Sequence, residues 1–491
     1  MRLAILAALA IGCGAHAGSS SLPQPAAAPA ATRWVPDRPT YLMASPMIGD
    51  AQRNLRDVID ALSIVSGVEL DELAAVAQGL VGVDVLHAEP LAAIGIDVGG
   101  SWAVFSEDIS PTFVVHLTAP DKMKAFLERQ RARGLPVQTA TVDQVEVASA
   151  ELIGGLSIAW AVDGEWMWIH LALPGTGTGD ATRWFTASHH PHTAGWSDSW
   201  AWASRAAGAA AGVVGFFDLH GAVANAVSRL PAAVACAKLA PSLGRVGFSL
   251  QGDEHHIATR LAIEIGPTDG LVRHVLAPPS GWPAAAARAA VAAQWNLDLT
   301  AAVDYLRPCL GATGGQLAML DESGVRTARG MLLGFDPDHA SGTGAVAFDL
   351  TNPAFFAHQL DRIPLRSTLE RAQSFAGHKG GTIDIPFSVT IEYVLEQGLM
   401  VAALGEGLVA QVLAPGAAGP PPIFALDVSP PAMSAEAWGI LLQALVEHRL
   451  PGSPGPAAKR AAAHLLRWRT AHVAVTAEAG ELVLTASGDR M

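Results

Sequence analysis

LSIAWAVDGEWMWIHL, residues 156–171, decides the fold. Two apolar runs rich in aromatic and branched side chains flank Asp163-Gly164, a dipeptide suited to the backbone of a tight hairpin turn. The stretch predicts a β-hairpin with strands at 156–162 and 165–171. Residues 387–404, FSVTIEYVLEQGLMVAAL, carry the same pattern, with the turn at Glu396-Gln397-Gly398.

Around the two hairpins the elements come in the same order. Ahead of the first are predicted strands at 91–97 and 111–118. A helix from Pro120 follows, with Met123, Phe126 and Leu127 on one face. Ahead of the second are strands at 331–336 and 344–351 and a helix from Pro353. Gly95 and Gly334 lie 239 positions apart, Pro120 and Pro353 233, and Gly164 and Gly398 234. Both prolines sit in a first helical turn, where the missing N–H costs nothing. Beyond the hairpins, Phe216-Phe-Asp-Leu219 is echoed by Phe424-Ala-Leu-Asp-Val428. A hairpin at 246–265, turning at Gly252-Asp253, is echoed by 473–486, turning at Ala479-Gly480. The expectation is an α+β fold of two pseudo-repeated halves, each a mainly antiparallel sheet with helices (51–62, 69–80, 121–133) packed on one face. The halves span 33–276 and 284–491, and the Pro/Gly-rich joint is 277–283.

Composition limits the function classes. The chain has 491 residues and a formal net charge of −14, with 15% charged and 50% hydrophobic residues. Its mean hydropathy is +0.30. Past the first dozen residues no uninterrupted apolar run reaches the roughly twenty needed to span a bilayer, so this apolarity belongs to a buried core. The sparse, scattered Lys and Arg argue against a nucleic-acid partner, which requires a clustered basic face.

The first thirty residues read as an address. Residues 3–11 (LAILAALAI) form a short apolar run behind Met1-Arg2, and Ala10-Ile11-Gly12-Cys13 resembles the lipobox of bacterial lipoproteins. On that resemblance 1–13 is an export signal, Cys13 is acylated, and 14–32, rich in Gly, Ser, Pro and Ala, is a flexible tether. A rival cleavage after Ala15-His16-Ala17 releases a soluble protein. Together with Pro36-Asp-Arg-Pro-Thr-Tyr41 before the first strand, these features resemble duplicated bacterial envelope proteins of unknown function. The resemblance brings no catalytic residues with it. Gly14 after the Cys implies, by the same resemblance, an outer-membrane lipoprotein facing the periplasm or the surface; the alternative is a soluble periplasmic or secreted protein. Cys236 and Cys309 form an even pair in an oxidising compartment. A disulfide between them would close a loop of about 73 residues, worth roughly 4 kcal/mol; two buried free thiols are the alternative.

The first half carries about 25 residues more than the second between its hairpin and the following strand, a difference read from Gly164–Asp218 against Gly398–Asp427. This insertion, about 182–202, holds His189, His190, His192, Asp198 and four tryptophans, Trp184, Trp196, Trp200 and Trp202. Imidazoles this close together can share Zn²⁺ or Cu²⁺, and indole faces can stack on a glycan or apolar ligand. The plainer reading is a solvated loop leading into a helix whose Trp200 and neighbours pack on the sheet. Gly95-Ile-Asp-Val-Gly-Gly-Ser101 resembles the first phosphate loop of actin-like sugar kinases. It lacks the basic residue expected after the Ser, and a glycine turn explains it. Asp253-Glu-His-His256 reads as a polar hairpin end. No nucleophile elbow, zincin helix or paired-cysteine motif occurs, so no catalytic residue and no cofactor is assigned. The resulting expectation is an exported, lipid-anchored envelope protein with a binding or scaffolding role. Its partners would be the membrane, an envelope protein, or a small apolar or glycan ligand; a carrier or sensor using the insertion comes second and a hydrolase third.

Overall fold

The computed structural model describes the chain from residue 27 to 491. The exceptions are most of 55–81 and segments 107–109, 134–135, 153–154, 173–179, 192–194, 207–211, 219–242, 254, 266–273, 277–285, 302–322, 340, 364–365, 386–388, 415–421, 448–452 and 479. Two compact units divide the chain, one ending at Glu264 and the other running from Ile265 to Met491. The fold mixes helices with extensive antiparallel sheet.

In the first unit the strands are β1 (Tyr41–Ser45), β2 (Trp102–Ser106), β3 (Thr112–His116), β4 (Val137–Val142), β5 (Val145–Glu151), β6 (Ser157–Asp163), β7 (Trp166–Ala172), β8 (Val213–Asp218), β9 (Leu243–Gly252) and β10 (His256–Ile265). Their pairings set the order β4-β5-β6-β7-β3-β2-β1-β8-β9-β10, every pair antiparallel. The 156–171 hairpin is β6–β7, closed by Asp163 opposite Trp166, with Gly164 at φ +53°. Helices fully within the described residues accompany the sheet: α1 (Ala88–Ala93), α2 (Pro120–Ala132), α3 (Ala181–Ser188) and α4 (Ser197–Ala206).

Helices cover both faces of this sheet, which corrects the expectation of one. Successive strand side chains point to opposite faces. On β7, Trp166 and Trp168 join a core with residues of α3 and α4, while Met167 joins a second core with Leu91 of α1 and Met123 and Phe126 of α2. Both faces of the central strands are apolar, so both need cover.

The predicted strand at 91–97 is a second correction. Leu91, Ala92 and Ala93 are the last turn of α1, and Gly95 follows at φ +97°. Gly95 N donates to Ala92 O (3.0 Å) and Ile96 N to Leu91 O (3.1 Å). These are the two bonds of a Schellman cap, which places glycine at the left-handed position just past the helix. A short apolar run with two alanines reads as strand or helix equally well, and this cap decides it. The predicted 51–62 and 69–80 helices fall largely outside the described residues, as do the 277–283 joint and both Cys236 and Cys309.

The second unit contains β11 (Val291–Trp295), β12 (Val325–Asp336), β13 (Ser341–Leu350), α5 (Pro353–Asp361), α6 (Arg366–Leu369), β14 (Glu370–Phe375), β15 (His378–Asp384), β16 (Thr390–Glu396), β17 (Leu399–Leu404), α7 (Leu408–Leu413), β18 (Phe424–Val428), α8 (Ala435–Glu447), α9 (Pro456–Leu465), β19 (Trp468–Glu478) and β20 (Glu481–Arg490). Its strand order is β14-β15-β16-β17-β13-β12-β11-β18-β19-β20, again antiparallel throughout. The core against α7 gathers Ala345, Ala347, Val394, Val401, Val409 and Val412. On the opposite side, Leu360 at the end of α5 packs with Ile383 and Tyr393. Tyr393 also donates to Glu370, which Arg366 grips with both arms (3.0 and 3.1 Å).

Candidate functional site

Ahead of β1 the chain packs into the body from Pro29 on, with Ala30, Arg33, Asp37 and Arg38 left exposed. Ala30–Trp34 forms a short 3-10 turn whose Ala31 and Val35 are fully buried and whose Thr32 is nearly so. Ala31 N donates to Ser101 Oγ (3.0 Å), and Thr32 Oγ1 donates to Pro29 O (2.7 Å). The expected tether to residue 32 is therefore too long: its last three residues are part of the body. Thr40 N then donates to Ser106 O and Thr40 O accepts from Asp218 N, which sets the chain into the middle of the sheet.

The insertion supplies the walls of this seat. Asp180 caps α3 by accepting from Thr182 N (3.0 Å) and Arg183 N (3.1 Å), and the helix carries Trp184 and Phe185 into the core. His189, just past its end, stacks on Phe185 (4.5 Å between ring centroids) and lies parallel to Trp34 (6.1 Å, 4° between planes). Trp168 meets Trp34 edge-on at 5.0 Å and His189 at 5.3 Å. The Arg33 guanidinium lies 4.6 Å from the Trp34 ring and 4.8 Å from that of Trp166, a cation–π contact worth about 0.5–1 kcal/mol at an exposed site. Gly195 completes the enclosure: a Cβ there would lie 2.7 Å from Asp37 O, so only glycine lets the insertion's second turn close against the 36–39 segment.

The four tryptophans predicted from sequence each have a place. Trp184 donates from Nε1 to Thr112 Oγ1 (3.0 Å) and stacks on His170. Trp196 and Trp200 are buried and meet at nearly right angles. Trp202 is partly buried under the Arg245 guanidinium (4.8 Å), which Glu264 holds from its other side (3.1 and 3.2 Å). Trp184, Trp196 and Trp200 are thus buried against the protein's own side chains, and Trp202 is half-buried. Among the described residues the insertion forms the helices α3 and α4, both carrying buried side chains.

His189 and His190 turn to different hairpin tips. His189 Nε2 is 2.9 Å from Asp163 Oδ2 at the β6–β7 turn, and His190 Nε2 is 3.6 Å from Asp143 Oδ2 at the β4–β5 turn. Asp198 is exposed in the first turn of α4, and His192 lies outside the described residues. Among the described residues no group of three or more His, Cys, Asp or Glu side chains is placed to hold a metal ion.

Histidine–carboxylate pairs of this kind recur at turns and strand ends. Asp97 of the phosphate-loop look-alike accepts from Gly99 N (3.1 Å) and holds His116 Nδ1 (2.8 Å), so its carboxylate is spent on the turn. Asp253 accepts from His255 N and His256 N (both 2.8 Å), a hairpin end as expected. His378 binds Glu396 (3.0 Å) and His339 binds Asp336 (2.8 Å). The Asp336 hydrogen bond raises the His339 pKa above the ordinary histidine value, and the same bond lowers that of Asp336. The pair stabilises the turn fully below the ordinary histidine pKa, and that contribution is lost as pH rises through the raised His339 value. It is also lost as pH falls through the lowered Asp336 value. NMR titration should find His339 above the usual range and Asp336→Asn should return it there; an unmoved His339 would contradict the pairing.

The signal that places the tryptophans was in the sequence. Trp196, Trp200 and Ala203 are spaced i, i+4, i+7, the stripe of a buried helix face, and all three are buried.

No protein family matches the chain, and no curated protein matches it. Among solved structures, crystal form III of TP0453 is 9% identical, covers 50% of this chain and 82% of its own, and has a TM-score of 0.29. Crystal form I of TP0453 is 10% identical, with coverages of 50% and 81% and the same TM-score of 0.29. A likeness that slight leaves fold and function to be argued from this chain's own residues.

Proposed function

We propose that this is an exported envelope protein, held to a lipid leaflet through Cys13, whose body of two related units is a scaffold with no catalytic task of its own. One observation carries the reading: the insertion in the first unit closes over the point where the tether joins the body. His189, stacked on Phe185, lies parallel to Trp34, Gly195 closes on Asp37, and Ala31 and Val35 are fully buried within a few residues of the low-complexity stretch. A segment that transmits pull from an anchor needs that kind of seat. The second half, which receives no tether, lacks the insertion. Duplication of one ten-stranded unit accounts for the two strand orders, which coincide position by position when β1 is matched to β11 and β10 to β20.

In this reading the aromatic and imidazole wealth of the insertion serves attachment, and outer-membrane residence follows from Gly14. Fractionation tests it. The wild-type chain should stay with membranes through high-salt and carbonate washes, and Cys13→Ser should be released. A Cys13→Ser form that stays membrane-bound would remove the basis of the proposal.

A further inference from the structure

The outer strands β4 and β14 of the two units differ in charge. In the second unit the outer strand β14 is guarded by charge: Glu370 is gripped by Arg366, and Arg371 pairs with Asp384 at 2.5 Å. The matching outer strand of the first unit, β4, has the sequence Val137-Gln-Thr-Ala-Thr-Val142, with no charge and no proline. Among the described residues it pairs only with β5, and Gln138, Thr139, Ala140 and Thr141 are exposed. Proteins normally blunt such edges with charge, proline or a bulge, because a bare edge recruits another strand.

The geometry fixes which groups face out. Asp143 and Gln144 have φ of +50° and +67°, a two-residue turn with both centres left-handed, and Val142 lies opposite Val145. The pair flanking such a turn exchanges its hydrogen bonds across the hairpin, and the direction alternates along the strand. The N–H and C=O groups of Val137, Thr139 and Thr141 therefore point away from β5.

We propose that this edge pairs with β4 of a second copy of the chain, antiparallel about a two-fold axis normal to the sheet. That axis sets side chains of the same face opposite one another, so Thr139 meets Thr139 or Thr141 of the other copy, and cross-strand threonine pairs stabilise a ladder. In a protein of net charge −14, this strand lets two copies meet without opposing like charges. Five or so paired residues give a reversible dimer.

Sedimentation velocity on the full chain carrying Cys13→Ser, so that no lipid holds copies together, tests this independently of the anchor. The chain should shift from monomer to dimer as concentration rises. Thr139→Lys and Thr139→Glu should each remain monomeric with unchanged circular dichroism, since Thr139 is exposed. An equimolar mixture of the two should form the dimer again, because opposite charges now face each other. A chain that stays monomeric, a dimer insensitive to both substitutions, or a mixture that does not reassociate would each overturn the proposal; the first would leave the edge to an extended peptide instead.

Discussion

Trp168→Ala should lower the unfolding free energy of the first unit by about 3–5 kcal/mol, the range for emptying a buried aromatic site. Trp168 is fully buried, and its ring meets Phe185 at 5.6 Å and 90° besides touching Trp34 and His189. Edge-to-face pairs of this kind add about 0.5–1.5 kcal/mol beyond area burial. Because the same ring supports Trp34, the seat of the 30–35 segment should loosen with it. Urea denaturation followed by circular dichroism reads the first effect, and faster tryptic cleavage after Arg33 reads the second. Trp168→Phe should recover most of both. A loss within about 0.5 kcal/mol, the range of an ordinary surface substitution, would mean that this ring does not organise the core.

Glu392→Ala should cost the second unit about 2–4 kcal/mol. Glu392 is 4% exposed, and its carboxyl accepts from Gly407 N (2.7 Å) and Val409 N (3.2 Å) at the start of α7. The first N–H groups of a helix have no partner within it, and each one buried unpaired costs about 1–3 kcal/mol. From β16 on the sheet, Glu392 supplies the cap that Gly407 lacks, which ties α7 to the core beneath it. Glu392→Gln keeps one acceptor oxygen and should cost less than Ala. Equal losses for the two, read by urea midpoint at constant slope, would show that volume and not hydrogen bonding is at stake.

Much of the strand architecture was legible because its signals are local. The 156–171 hairpin combines alternation with Asp-Gly, and Pro120 and Pro353 mark helix starts that begin at those residues. The β4–β5 and β14–β15 hairpins were not legible. Their turns, Asp143-Gln144 and Ala376-Gly377, put a non-glycine residue at positive φ, and their exposed outer strands show no apolar alternation. The α1 segment looked like a strand because Leu-Ala-Ala-Ile suits either state until the capping bonds of Gly95 and Ile96 are seen. In the site, residue types pointed to chemistry and position pointed to packing. Trp184 and Trp200 are among the bulkiest apolar side chains, so a partner inside the protein satisfies them as well as a ligand would. That His189 meets a turn carboxylate 26 positions away depends on the whole sheet being assembled, and no local pattern encodes it.

The central claim is that an acylated N-terminus holds this two-unit body at a membrane. Mass spectrometry of the N-terminal peptide from the mature protein, purified from bacterial membranes, tests it most directly. The mature peptide should begin at Cys13 and carry the added mass of a diacylglyceryl group. An unmodified peptide beginning at Gly18, or an intact Met1, would contradict it.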